Sequence, residues 1–378
     1  MTAVPLSVLD LVPVSSGSSP AQALRNTIDL AVAAERAGYA RYWLAEHHLN
    51  PGVAGSAPNI VIGAVAAATS TIRVGSAATL VGNVRALQIA ETFGTLTGLY
   101  GPRFDLGLGR SGAPAPGTPK PPSLAARADE VVDGLLLPAP FDLRIAPNSR
   151  FALQGELLGR VPGDVERFDD ELRLLRAFLA GTYTRGDEVV DATPAAGADV
   201  ELWIHGSTGG ASARAAGALG LPYGANYHSS PGTVLASVTA YREAFRPGVL
   251  DAPHVIVSAD VLAGRTAAEA EDLAHGYDRW VHSIRSGVGA IAYPTPEWAR
   301  EHPLGPEAAA AVRDRVATRF VGDAAQVADR LETLRRVTGA DELLVTTITH
   351  DHAARVRSHE LLAAEWAARA AAPAAVAV

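Results

Sequence analysis

Tyr39-Ala40-Arg41-Tyr42-Trp43-Leu44-Ala45-Glu46-His47-His48 is a short apolar strand that runs out into an acid and two imidazoles. An α/β barrel keeps its chemistry at the carboxyl ends of its parallel strands, in the loops that follow them. A glutamate beside two histidines, taken alone, is more often a solvated loop than a site, by roughly three to one. Its weight changes because the strand before it is the second in an alternating series of eight.

Strand-like apolar runs fall at 6–12, 40–45, 72–80, 103–109, 201–205, 222–227, 254–262 and 342–348. Helical periodicity lies between and after them, at 20–37, 58–70, 86–100, 165–180, 211–219, 233–245, 267–285, 325–337 and 353–369. Ser19 and Pro20 read as the N-cap and first position of the first helix, whose Leu24, Ile28, Val32 and Glu35 recur three or four apart. Eight strands each followed by helix predict a parallel (β/α)8 TIM barrel, a single domain over 1–378. Two insertions interrupt it: 112–163 after strand four, rich in Pro, Gly and Ala, and 287–323 before strand eight. Loops of this length are functional lids or disordered decoration, about evenly. The Ala- and Val-rich end, 370–378, is expected to fray.

Composition removes several chemistries. There is no cysteine, which excludes disulfides, thiolate metal sites, Fe–S clusters and cysteine nucleophiles. Lys120 is the one lysine and lies in a proline-rich stretch, which leaves Schiff-base chemistry without a usable amine. A net charge of −8 without a basic block argues against nucleic acid. Mean hydropathy is +0.12, and no apolar run approaches the ~18 residues of a membrane helix. The first cationic side chain is Arg25, so no secretory signal is expected and the protein reads as cytoplasmic.

Two glycine-containing segments carry anion-binding potential. Gly107-Leu108-Gly109-Arg110-Ser111-Gly112 has the spacing of a dinucleotide fingerprint, but Ala113-Pro114-Ala115-Pro116 follows where that motif needs a helix. The reading that remains is Arg110 approaching an anion, against an equally weighted structural pairing with a carboxylate. Gly206-Ser207-Thr208-Gly209-Gly210 joins strand five to a helix, where free N–H groups, two hydroxyls and the helix dipole converge. Helix capping explains Ser207 and Thr208 equally well; Gly209 and Gly210 cost stability unless something must come close, which favours phosphate by about two to one. His350-Asp351-His352 reads as a cap of the last helix, not a metal site.

These segments, with Leu6-Ser7-Val8-Leu9-Asp10, Ile72-Arg73-Val74-Gly75-Ser76-Ala77-Ala78, Gln88-Ile89-Ala90-Glu91 and Gly220-Leu221-Pro222, resemble the bacterial luciferase-like flavin monooxygenases. The nearest subgroup is the actinomycete enzymes that tailor aromatic polyketides, of the mensacarcin-pathway type. The resemblance implies a TIM barrel with reduced FMN (FMNH2) across its mouth, the phosphate held by Arg110 and by Ser207, Thr208, Gly209 and Gly210. It implies a non-proline cis peptide at Ala77–Ala78 under the flavin ring, His47 as catalytic base or proton donor, and Glu46 orienting it or holding substrate. It further implies a separate NAD(P)H:flavin reductase, oxygen added to flavin as a C4a-hydroperoxide, a small-molecule substrate and a homodimer packed through helices two and three. The alternatives are hydride transfer with the deazaflavin F420 and a non-enzymatic flavin-binding subunit. Three segments depart from the family pattern: Gly101-Pro102-Arg103 in the turn before strand four, Gly82-Asn83-Val84-Arg85 after strand three, and Gly206 where an acid is usual.

Overall fold

The computed structural model describes residues 4–111, 128–141, 150–161, 163–165 and 167–371. Eight parallel strands form the centre: β1 (Leu6–Asp10), β2 (Arg41–Leu44), β3 (Arg73–Leu80), β4 (Phe104–Gly109), β5 (Val200–Gly206), β6 (Tyr223–Asn226), β7 (Val255–Gly264) and β8 (Glu342–Thr346). Their order is β6-β5-β4-β3-β2-β1-β8-β7, and pairing of Tyr223 with Val255 through Asn226 with Ser258 returns β7 to β6 and closes the ring. Around it lie α1 (Pro20–Arg36), α2 (Pro58–Ala68), α3 (Ala86–Tyr100), α4 (Phe168–Leu179), α5 (Ala211–Ala218), α6 (Val234–Ala244), α7 (Ala324–Thr338) and α8 (His352–Ala371). The expected (β/α)8 barrel is the fold.

Strand alternation divides the core in two. Val8, Tyr42, Leu44, Leu343 and Val345 point outward and pack under the helices. Leu9, Trp43, Trp203, Ile256 and Leu344 point inward and fill the ring as a separate cluster. At the strands' amino ends the filling is ionic. Arg41 lies 2.8 Å from Asp105, 3.1 Å from Glu201 and 3.2 Å from Glu342, while Arg73 lies 2.6 Å from Asp105. Trp43 Nε1 donates to Asp105 across 3.0 Å, tying the apolar layer to the ionic one. This closes the lower end of the barrel and leaves the carboxyl ends as its open mouth.

Local signals hold where they are chemical. The Ser19 side chain accepts from Gln22 N at 3.2 Å with Pro20 opening α1, and Asp351 accepts from Ala354 N at 2.6 Å as the cap of α8. Where packing overrides periodicity they fail. The helix expected over 267–285 is two, Ala267–Leu273 and Tyr277–Arg285, broken at Gly276. Gly276 has φ +94°, and a Cβ there would lie 2.7 Å from the Pro294 ring, so a helical side-chain residue does not fit.

Neither insertion is loose decoration where it is described. Residues 287–323 fold into three short helices and a strand, Phe320–Asp323, that pairs in parallel with Val261–Gly264 of β7. In the first insertion Glu130–Val132 and Leu135–Leu137 form an antiparallel hairpin, with Leu135 and Leu137 buried. Tyr227, just after β6, donates through its hydroxyl to Leu136 O at 2.9 Å and fixes that hairpin beside the barrel. The proline-rich run after Arg110, with Lys120, lies outside the described residues, as does the tail from 372. Among the described residues no helix is long and apolar enough to cross a membrane.

Candidate active site

A cavity of ≈ 510 Å3 opens at the carboxyl ends of the strands. Leu9, Ile256 and Leu344 form its floor directly above the buried tryptophans; the walls come from β3 through β6. Such a volume suits a drug-sized or cofactor-sized ligand.

The β3 wall is Ala77, Ala78 and Leu80. The Ala77–Ala78 peptide is cis, at the position the family resemblance implies, and the β3–β4 register slips between Ser76 and Thr79. Thr79 Oγ1 donates to Ser76 Oγ at 2.9 Å, and Ser76 Oγ donates to Gly107 O at 3.0 Å, which pins the irregular strand to β4. The two alanines keep this wall small and apolar.

The opposite end of the cavity is lined by hydroxyls and backbone where β5 meets α5, at Ser207, Thr208, Ala211 and Ser212. Gly210 caps α5 without any side-chain hydrogen bond to the first turn, so backbone N–H groups there are free and the positive end of the dipole faces the cavity. Arg110 joins them from the end of β4. Its Nη1 donates to Val165 O at 3.1 Å, its Nη2 to Asp169 at 2.8 Å, and its plane lies 4.4 Å from the Phe168 ring centre. The carboxylate pairing weighed as the alternative is therefore present, yet Nε of Arg110 is buried and has no partner among the described residues. The guanidinium is held by three neighbours and keeps N–H donors that these contacts do not use.

Gly209 and Gly210 do not line the cavity. A Cβ at Gly209 would lie 2.8 Å from Ala236 O, and one at Gly210 3.0 Å from Thr208 Oγ1. The close approach Gly209 permits is to α6, not to a ligand, so the argument drawn from these glycines for phosphate does not stand on them. Ser212, one turn further on, faces the cavity instead.

His47 and Glu46 stand beside the cavity rather than on its lining. Glu46 is committed: Oε2 accepts from Leu80 N at 2.9 Å, and Oε1 accepts from Asn83 Nδ2 at 2.5 Å and lies 2.9 Å from His48 Nε2. It makes no hydrogen bond to His47, so orienting His47 is not its role; it ties the β2 and β3 exits together. Asn83 is in the segment that departs from the family pattern, and here it is Glu46 that holds it. His47 Nδ1 is buried without a partner. Burial pushes the His47 pKa down to about 4, with Glu46 opposing the fall and His48 adding to it.

Two further imidazoles reach the cavity that the sequence did not single out. His205, on β5, points inward two residues after Trp203, and alternation along the strand was the signal that could have found it. Its ring meets Trp43 edge-on at 5.1 Å. His228, in the loop after β6, has Nδ1 2.7 Å from Ser258 Oγ. Burial, then the charge of Arg315, then His47 bring its pKa down to about 3.

A closed parallel barrel with an apolar floor, imidazoles at its open end and hydroxyls where β5 meets α5 is the architecture of an α/β-barrel enzyme. The Luciferase-like monooxygenase family profile matches residues 4–136 and 146–342, and the chain belongs to that family. It is 38% identical over 363 residues to the uncharacterized protein YvbT of Bacillus subtilis (96% of each chain), and 32% identical over 362 residues to a luciferase-like monooxygenase of Escherichia coli K12 (95% of this chain, 96% of that one). Among solved structures, apo-MsnO8 is 30% identical, with TM-score 0.78 over 96% of this chain and 98% of that one. At lower identity the fold alone is shared with an FMN complex of the oxygenating constituent of 3,6-diketocamphane monooxygenase of Pseudomonas putida (18%, TM-score 0.67, 98% and 100% covered). The same holds for an F420-dependent secondary alcohol dehydrogenase (14%, TM-score 0.60, 97% and 99% covered).

Proposed function

We propose that the protein is a two-component monooxygenase that binds reduced FMN at the barrel mouth and oxygenates a bulky organic substrate. The observation that carries this reading is the cavity itself. One end offers the free N–H groups of α5, Ser207, Thr208, Ser212 and the spare Nε of Arg110, a donor set for a phosphate. The remainder sets small and aliphatic side chains, Ala77, Ala78, Ile256 and Leu344, beside the imidazoles of His205 and His228, surroundings suited to an aromatic ring system with a polar edge. The residues present fit FMN on both counts.

When bound, reduced flavin supplies the electrons and the oxygen activation. The chain's residues bind, orient and keep water out. Arg110, Ser207, Thr208 and Ser212 hold the phosphate. Ala77 and Ala78 support the ring. His47, beside the cavity, is the acid–base group of this reading, uncharged near neutral pH because burial disfavours imidazolium. Glu46 holds the loop that carries Leu80 and Asn83 at the cavity edge.

A flavin reductase partner is part of this reading, since no nicotinamide fingerprint accompanies the site. A homodimer through α2 and α3 is supported by Ile60, Leu87 and Leu99, apolar side chains that these helices expose. Aromatic polyketide tailoring rests on the likeness to apo-MsnO8 and is the narrowest part of the proposal.

The deciding experiment is anaerobic titration with FMNH2 and, separately, with reduced F420, each followed by mixing with oxygen. Saturable FMNH2 binding and a slow absorbance transient after oxygen are expected. Binding of reduced F420 but not of FMNH2 would move the assignment to hydride transfer. FMNH2 binding with no transient and no oxygen chemistry would leave a flavin-binding subunit.

A further inference from the structure

We propose that His205 is the polar contact between the barrel floor and the ring of the bound cofactor, its imidazole making one hydrogen bond to that ring's edge. The inference rests on the flavin reading above and adds to it a residue no motif marks.

Its basis is an imidazole held in place and left without a partner. His205 lines the cavity and neither ring nitrogen meets a hydrogen-bond partner among the described residues; Nε2 is closed off against Gly107, which leaves Nδ1 as the nitrogen open to a ligand. Buried polar atoms are rarely orphaned, and an orphan beside a ligand cavity calls for a partner from the ligand. The barrel makes room for this ring on both sides. Across the sheet, His205 pairs with Gly224 of β6, and Trp203 with Gly107 of β4. A Cβ at Gly107 would lie 2.6 Å from Nε2, and one at Gly224 2.1 Å from Nδ1. Two glycines flank one histidine, and Trp43 supports it from below at 5.1 Å. An aliphatic side chain would fill this floor, which is otherwise Leu9, Ile256 and Leu344, without leaving polar atoms unpaired.

Burial brings the His205 pKa down to about 4, so the ring stays neutral at physiological pH and offers one donor and one acceptor. That suits a flavin ring, whose pyrimidine edge alternates carbonyl and N–H groups, better than it suits an anion. The phosphate donors stand apart from it at the α5 end of the cavity.

The test is FMN binding, read by fluorescence quenching and by the visible band of the bound flavin, in wild type, His205→Leu and His205→Gln. Loss of one such contact is expected to raise the Kd of His205→Leu about 10-fold, roughly 1.4 kcal/mol by the usual conversion, and to shift the bound-flavin band. His205→Gln, which keeps a donor and an acceptor, should recover part of both. Wild-type protein that binds neither FMN nor, under anaerobic titration, FMNH2 would overturn the flavin reading itself. Wild type and His205→Leu binding FMN equally, with one band position, would overturn the role of His205 and leave the flavin reading standing. If His205→Leu does not fold, imidazole 15N resonances of the wild-type protein decide the matter. The His205 signal, assigned by its absence in His205→Gln, should move on FMN addition, and an unmoved signal rejects the contact.

Discussion

His47 is a weak base by construction. Its imidazole is desolvated, and the adjacent carboxylate cannot compensate fully because Glu46 is already accepting from Leu80 N and Asn83. A base of pKa about 4 is unprotonated throughout the neutral range, so activity limited by His47 should be flat from pH 6 to 8. In His47→Ala, turnover with saturating FMNH2 should fall by about 10²–10⁴, the usual worth of a positioned acid–base group. FMN affinity should stay within about 3-fold, because His47 does not line the cavity. Equal turnover in the two proteins would remove His47 from the chemistry. Arg110 predicts the opposite pattern. A charge-assisted hydrogen bond is worth about 1.5–3 kcal/mol, so Arg110→Ala should weaken FMN by roughly 10–100-fold. Riboflavin, which has no phosphate, should bind both proteins alike. Equal losses for both ligands would mean that Arg110 acts by holding α4 through Val165 and Asp169 rather than by touching phosphate.

Elements were legible where apolar period and punctuation agree, as in α3, read at 86–100 and found at Ala86–Tyr100. They were illegible where the deciding contact is remote. Pro294 breaks the helix at Gly276 from 18 positions away, and the strand Phe320–Asp323 exists because β7 runs past the ring and offers it an edge. The site divides in the same manner. Arg110, Ser207 and Thr208 sit in motifs that name themselves, whereas His205 and Ser212 act through which way a strand or helix turns them. Gly209 looked like a ligand contact because its neighbour on α6 is not adjacent in sequence. One joint between elements can be tested. Glu35, at the end of α1, accepts through Oε1 from Ser70 N at 2.8 Å, Thr71 N at 2.6 Å and Ile72 N at 3.0 Å, fixing the turn into β3. Burial raises its pKa, but these three backbone donors outweigh that and hold it at about 2. The group is partly open to solvent, so Glu35→Gln should cost only about 1 kcal/mol by urea unfolding at pH 7. The difference should shrink below pH 4.5 and vanish near pH 2, as protonation removes the advantage from the wild type. A constant difference across that range would mean that shape, not charge, holds the joint.

Over the whole molecule, buried ionisable groups are of two kinds, paired ions and imidazoles held neutral. The amino end carries paired ions, Arg41 and Arg73 against Asp105, Glu201 and Glu342. The mouth carries neutral imidazoles: burial holds His47 and His205 at about 4, and burial with Arg315 holds His228 at about 3. His359 of α8, edge-on to Tyr39 at 5.6 Å and far from the cavity, is held at about 3 by burial and the nearby Arg355. In the unfolded chain each of these rings titrates near 6.5, so as pH falls below that value the unfolded state binds more protons and stability drops. The stabilisation is therefore complete above pH 6.5 and is lost as pH falls toward 4 and then 3. Each imidazole contributes a slope of about 1.4 kcal/mol per pH unit, and four acting together approach ~5 kcal/mol per unit at the steepest. Glu35 contributes only below 4.5, and Asp105, whose carboxyl burial pushes up, acts in the opposite sense, so the expected fall from 6.5 to 4.5 is that of the histidines less any proton Asp105 takes up. Urea unfolding at closely spaced pH values should show a steep fall there. His359→Leu should flatten it by one proton's worth without changing FMN affinity, since His359 belongs to the outer shell beneath α8. FMN in excess should stabilise the protein at pH 7 yet leave that one-proton difference intact. A stability that stays level from pH 7 to pH 5 would mean that these rings are hydrated or paired in solution, and the desolvated mouth on which the weakness of His47 and the contact of His205 both depend would not exist.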